Sequence, residues 1–295
     1  MHTIIIFCKS YNKEMHRARR MAESVNRFNT DNIPLYISVP SEDLHNFKNC
    51  FKNIPCSFIT DEEILTKTCQ VFGKIPMLFP EHLIQQLIKL EFWRMGFCQN
   101  YIWIDSDSYF IKYFRSADFL SNDNIPYTVQ HDFDELRAFA KRIKKNKIII
   151  DFETMAKKFQ KLFDRSGPYY DFGPSPLVWS CRVLKSLYED YLKPENLSIF
   201  NLLRDYPCEM QLYGEYLHYS KLIPIIPVQP IFKVFHYPEQ FFESQMKGES
   251  EYSLSKKYLG IVFQSNWSKI KEKKKIKDRI KSHLKDYLRT IIYGT

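Results

Sequence analysis

Short β-rich runs alternate with helical patterns through the first hundred residues, and the last of these strands runs directly into two carboxylates: "YIWIDSDSYF", Tyr101 to Phe110. "HTIIIFCKS" opens the series as a strand, and Met15, Ala18, Ala22, Val25 and Phe28 follow at helical spacing. "IPLYISVP" (Ile33 to Pro40) and "IPCSFIT" (Ile54 to Thr60) read as two further strands, separated by a short helix, "SEDLHNFKNCF", with a Ser cap. Such β-α-β-α-β order predicts an α/β layered domain with a mostly parallel central sheet and flanking helices. Pro80 then opens the clearest helix of this half, "EHLIQQLIKLEFWRMG", which Gly96 closes and in which Leu83, Leu87 and Leu90 form the buried side.

"NYIWID" has the continuous apolar character of an interior parallel strand, and ligands of such sheets bind at the carboxyl ends of the strands. Asp105 and Asp107 fall at that end. Two carboxylates this close repel unless a cation or a proton lies between them. Hard oxygen ligands suit Mg²⁺ or Mn²⁺, which bind one or two carboxylates and complete their shell from water and substrate phosphates. A nucleotide diphosphate is the matching substrate group. The plain alternative is that the pair simply forms a turn and caps a helix.

After Phe110 the alternation loosens. "DELRAFAKRIKKNK" and "IIIDFETMAKKFQKLF" predict two helices, and the Gly/Pro-punctuated loop "SGPYYDFGPSPLVWS" runs into a strand. Helices at Cys181 to Leu192 and near Glu209 to His218 come next, then strands to "IFKVFHY". The run "LIPIIPVQPIF" is broken by three prolines, so it reads as edge or connecting strands rather than a membrane helix. With no internal repeat and no low-complexity linker, residues 1–267 read as one domain, with a first half over about 1–115 and a second over about 116–267.

Seven scattered cysteines without a C-x-x-C pair fit a reducing compartment, and no basic n-region precedes "TIIIFC", so a cytoplasmic protein is expected. The net charge of +9 is concentrated: ten Lys or Arg against three acids between Lys269 and Arg289 account for +7 of it. Ile276, Ile280, Leu284 and Leu288 recur there every four residues, which makes 268–295 a basic amphipathic C-terminal helix. Such a helix suits the anionic inner face of a membrane, at roughly 1 kcal/mol per Lys or Arg near the surface. The rest of the chain gives no reason to expect nucleic acid as a partner.

The D-x-D strand end resembles that of GT-A glycosyltransferases. The likeness extends beyond the triplet: "QQLIKLEFWRMGFCQNYIWIDSDSYF" is similar to bacterial capsule and lipopolysaccharide glycosyltransferases, in which a Gln-Gln-x-x-Lys-Leu helix precedes the D-x-D strand. "CEMQLYGEYL" (Cys208 to Leu217) is similar to their Glu-containing segment ending in Leu-Tyr-Gly, although Cys208 and Met210 stand where that family has Ser and Tyr. The resemblance implies a GT-A, Rossmann-like fold and transfer of a sugar from a nucleotide-sugar donor, most commonly a UDP-sugar, to a glycan or lipid-linked acceptor. It implies Mn²⁺ or Mg²⁺ on Asp105 and Asp107, with His236 completing the shell. Gln85 or Lys89 would reach the donor, Ser10 and Tyr11 the base and ribose, and Lys233 the leaving diphosphate. Glu209 and Asp171 are the candidate catalytic or acceptor-side carboxylates.

Two rival readings are distinct in chemistry. An hhhDxDx run also resembles the nucleophile motif of haloacid dehalogenase-type phosphatases, with Asp105 attacking phosphorus. That motif belongs at the start of its domain with Thr or Val two residues past the second Asp, whereas about a hundred residues precede it here and Tyr109 fills that position. The other rival is a non-catalytic, basic-tailed binding module for membrane or nucleic acid, which the confinement of charge to one tail argues against.

Overall fold

The computed structural model describes residues 1–264, so the expected basic helix at 268–295 lies outside the described residues. Ten strands are formed: β1 (His2–Lys9), β2 (Leu35–Val39), β3 (Ser57–Thr60), β4 (Cys98–Trp103), β5 (Ser108–Phe110), β6 (Tyr127–Val129), β7 (Leu177–Ser180), β8 (Ile226–Val228), β9 (Phe232–Phe235) and β10 (Gly260–Phe263). The α-helices are α1 (Met15–Phe28), α2 (Leu44–Cys50), α3 (Asp61–Phe72), α4 (Glu81–Glu91), α5 (Asp134–Arg142), α6 (Lys147–Leu162), α7 (Cys181–Ser186), α8 (Ile199–Asp205), α9 (Glu209–Ser220), α10 (Pro238–Met246) and α11 (Glu251–Ser255).

The central sheet has the order β3-β2-β1-β4-β7, with β1 to β4 parallel and β7 antiparallel beside β4. The fold class expected from the alternating pattern is therefore the one formed. Its strands are apolar on both sides because both faces are covered. Ile4, Ile6 and Cys8 of β1 join Ile102 and Ile104 in a core under α1 and α2, while Ile5 and Phe7 join Tyr101 and Trp103 in a second core under α4, α7 and α9. Phe7 stacks on Phe92 with ring centroids 3.9 Å apart, tying the centre of β1 to the turn that follows α4.

The chain leaves β1 toward β2 on one side and enters β4 on the other, so a crevice opens between the carboxyl ends of β1 and β4. That is where open α/β sheets bind ligands. A smaller sheet, β5-β10-β9, continues the chain beyond this rim, with β5 antiparallel to β10, and α1 packs against β5. The short pair β6-β8 completes the sheets among the described residues. Helix α3 was not anticipated, although Thr60 and Glu63 form a reciprocal capping box at its start.

Candidate active site

Asp105 and Asp107 lie on one tight turn. The Ser108 amide donates to the Asp105 carbonyl at 3.1 Å, closing the turn that carries the chain from β4 into β5. The aspartate pair thus makes a turn between two strands and caps no helix. Asp107 is buried, and its carbonyl accepts from the Phe263 amide at 3.0 Å, so the end of β10 fixes it from behind. The Asp105 amide donates to Ser175 Oγ at 3.1 Å, which docks the loop 171–176 against the turn.

Lys89 is the pivot of the rim. It is buried at the end of α4, and its Nζ lies 2.8 Å from Asp105 Oδ1, 3.2 Å from Glu209 Oε1 and 4.1 Å from the Trp103 ring centroid. Burial alone would lower the pKa of this ammonium, but attraction by Asp105 and Glu209 outweighs it and the net displacement is upward. Lys89, Asp105 and Glu209, proposed from separate segments of the sequence, are therefore in contact. The carboxylate of Glu209 serves as the second counter-ion of Lys89, at the first turn of α9. Gln85, one turn earlier on α4, is exposed, so the two polar residues do not share an open face.

At the end of β1, Ser10 is buried with its amide donating to the Ser38 carbonyl at 2.9 Å, and its Oγ has no hydrogen-bond partner among the described residues. A buried hydroxyl without a partner is costly unless a ligand satisfies it. Tyr11 follows, half-buried, and burial first and Glu14 second push its phenol above the ordinary pKa. Beside them, Lys9 Nζ is 2.7 Å from Asp61 Oδ2, and Ser38 Oγ donates to Asp61 Oδ1 at 2.5 Å. Burial pushes the Asp61 carboxyl up despite the opposing attraction of Lys9. The sequence reading did not pick out Lys9 and Asp61, and neither carries a motif that would have marked it.

Past the loop 171–176 lies a cavity of about 450 Å³ lined by residues that include His131, Asp171, His236 and Tyr258. His131 and Asp171 exchange backbone hydrogen bonds of 3.1 and 2.9 Å. The Phe133 amide donates to His131 Nδ1 at 3.2 Å, and Nε2 faces the Gly173 carbonyl at 2.7 Å, which assigns the proton of a neutral ring to Nε2. Asp171 Oδ1 accepts from the Gly173 amide at 2.8 Å. Burial dominates its environment and raises its carboxyl pKa against the opposing pull of His131 and that hydrogen bond. Lys233 Nζ is 2.7 Å from Glu135 Oε2 on the same side of the molecule.

Asp105 and Asp107 fit a Mg²⁺ or Mn²⁺ ion by donor type, since such an ion needs only one or two protein carboxylates, and the Asp105 side chain keeps 40% of its surface open. Among the described residues no group of three or more His, Cys, Asp or Glu side chains is placed to hold a metal ion. The His236 amide donates to Gln240 Oε1 at 2.7 Å at the start of α10, and the residue lines the cavity. Burial pushes its pKa down to about 4.

No protein-family profile and no curated protein matches the sequence. Solved structures do. The apo structure of the bifunctional glycosyltransferase WbbM superposes with a TM-score of 0.52 at 11% identity, over 90% of this chain and 46% of that one. Mouse xyloside xylosyltransferase 1 in its apo form gives a TM-score of 0.45 at 8% identity, over 90% of this chain and 98% of that one. At such identities the likeness to WbbM is one of fold: an α/β, GT-A-like arrangement with a mostly parallel central sheet between layers of helices. The chain spans less than half the length of WbbM.

Proposed function

We propose that this protein is a metal-dependent glycosyltransferase that moves a sugar from a nucleotide-sugar donor, such as a UDP-sugar, onto a cell-surface glycan acceptor of the capsule or lipopolysaccharide type. The observation that carries the reading is the shared turn of Asp105 and Asp107 at the carboxyl end of β4, beside the sheet's reversal point, with Lys89 held 2.8 Å from Asp105. A divalent ion on these carboxylates would stabilise the negative charge that develops on the departing diphosphate.

The chain's own residues have separable tasks. Lys89 holds the Asp105 carboxylate in one position and balances its charge. Ser10 Oγ, buried at the end of β1 without a partner among the described residues, is a hydrogen-bonding group for the nucleoside. Glu209 is engaged by Lys89 and acts as its counter-ion, which leaves Asp171 as the acceptor-side carboxylate of the two proposed. Lys233, paired with Glu135 at 2.7 Å, is the proposed contact for the leaving diphosphate. No helix among the described residues is long and apolar enough to cross a membrane. The basic segment 269–292 is the proposed contact with an anionic cytoplasmic membrane face, which would place the enzyme near lipid-linked acceptors.

A thermal-shift series with UDP and other nucleoside diphosphates, with and without Mn²⁺, tests the reading. Stabilisation that requires both ion and nucleotide, and that Asp107→Ala abolishes, is expected. Stabilisation by phosphomonoesters with Mg²⁺, together with a phosphorylated Asp105, would replace it with the phosphatase reading.

A further inference from the structure

The cavity beyond the loop 171–176 differs in charge from a phosphate site. Four carboxylates line it, Asp132, Asp134, Glu135 and Asp171, while Lys257 is the only lysine or arginine among the described residues of the lining. Asp132, Asp134 and Glu135 are exposed and Asp171 is largely covered, so acidic groups surround the entrance and one reaches inside. Glu135 stays ionised. Burial opposes this, but hydrogen bonds from Lys233 at 2.7 Å and Tyr258 at 3.2 Å outweigh it and hold its carboxyl below the ordinary range. The remaining wall is apolar, with Pro174, Phe232, Val234 and Leu259 among its residues.

Carboxylates that accept hydrogen bonds, opposed to an apolar wall, match the two kinds of surface on a sugar ring, its hydroxyls and its C–H face. The same carboxylates repel a phosphate, a uronate or a sialate. The cavity is linked to the aspartate turn through the loop 171–176. Asp171 and Pro174 line it, whereas Ser175, the next residue, receives the Asp105 amide. Phe133, which presents its amide to His131 Nδ1, holds a left-handed backbone at φ 65° while its ring stacks 4.0 Å from Phe152. A bulky residue in that conformation costs about 1–3 kcal/mol and persists where packing dictates it. Here the packing keeps His131 fixed at the cavity wall.

We infer that this cavity is the binding site for the acceptor's terminal sugar, and that it selects an uncharged or amine-bearing ring against an acidic one. The inference rests on the glycosyl-transfer reading for its biological sense, but its binding chemistry is independent of nucleotide and metal. Saturation-transfer NMR without nucleotide or metal tests it, using methyl glucoside, methyl galactoside and methyl N-acetylglucosaminide against methyl glucuronide and methyl sialoside. At least one uncharged glycoside is expected to bind, with neither acidic one competing. Asp171→Ala should abolish the signal. Reversing the exposed charges in Asp132→Lys/Asp134→Lys should admit the glucuronide with a gain of about fivefold or more. No binding by any uncharged glycoside, or binding that neither cavity variant changes, overturns the inference. If metal-dependent nucleotide binding persists in that case, the glycosyltransferase reading stands without this acceptor site. If glycosides bind through the cavity while nucleotides do not bind at all, the reverse holds.

Discussion

Replacing Lys89 with Met removes the cation that pairs with both Asp105 and Glu209 while keeping most of the side-chain volume. The Lys89 side chain is 10% exposed and that of Glu209 only 7%, so the variant leaves a carboxylate uncompensated away from water. Breaking a buried pair in this way costs about 3–5 kcal/mol. The Asp105 half of the contact is 40% exposed, and solvent screening makes its separate contribution small, so no further loss is added for it. At roughly 2–4 °C per kcal/mol for large domains, the expected fall in melting temperature is on the order of 6–20 °C. Differential scanning calorimetry of Lys89→Met and of Lys89→Met/Glu209→Gln separates charge from packing. The double variant, with no buried charge left at that point, should regain at least half of the loss. A single variant that melts within about 2 °C of the parent would refute the reasoning, because the pair would then be too well solvated to matter. A double variant as unstable as the single one would show that the ammonium of Lys89 over the Trp103 ring, not its pairing with Glu209, stabilises the rim.

Three further outcomes are expected. Gly214→Ala would place a Cβ 2.1 Å from Phe172 Cγ, inside the packed face of α9, and should destabilise the protein by about 1–3 kcal/mol or more in urea unfolding. Thr60→Ala removes the cap of α3 and should cost about 1 kcal/mol by the same measurement, with a smaller loss for Thr60→Ser. His218 is held neutral, its pKa pushed down to about 4 chiefly by burial and then by Arg165. The unfolded chain binds that proton near the ordinary value of about 6.5, so stability should fall as pH drops from about 6.5 toward 4, and His218→Gln should flatten the slope in that window.

The first half of the chain was legible because its signals are local. Period and caps placed β1, α1, α4 and β4, and the carboxylates at the end of β4 followed from the strand itself. Helix α3 was legible in principle, since Thr60-x-x-Glu63 is a capping box, but its apolar residues form a weaker stripe than that of α4. β10 was not, because "GIVF" is four residues long and is a strand only through β5 and β9, which lie far away in sequence. The same limit applies to the site. Lys89 and Glu209 are 120 residues apart, and nothing in either segment announces their contact. A lone histidine in a loop carries no periodic signal, so His131 was invisible until Asp171 and Gly173 were folded against it.

The most direct test of the central claim is anomalous diffraction at the manganese edge from crystals soaked with MnCl₂ and UDP. The account predicts one peak within coordination reach of an Asp105 or Asp107 carboxylate oxygen and of both phosphates. Manganese absent from that turn, with nucleotide bound elsewhere or not at all and Asp105 still closed on Lys89, would contradict it.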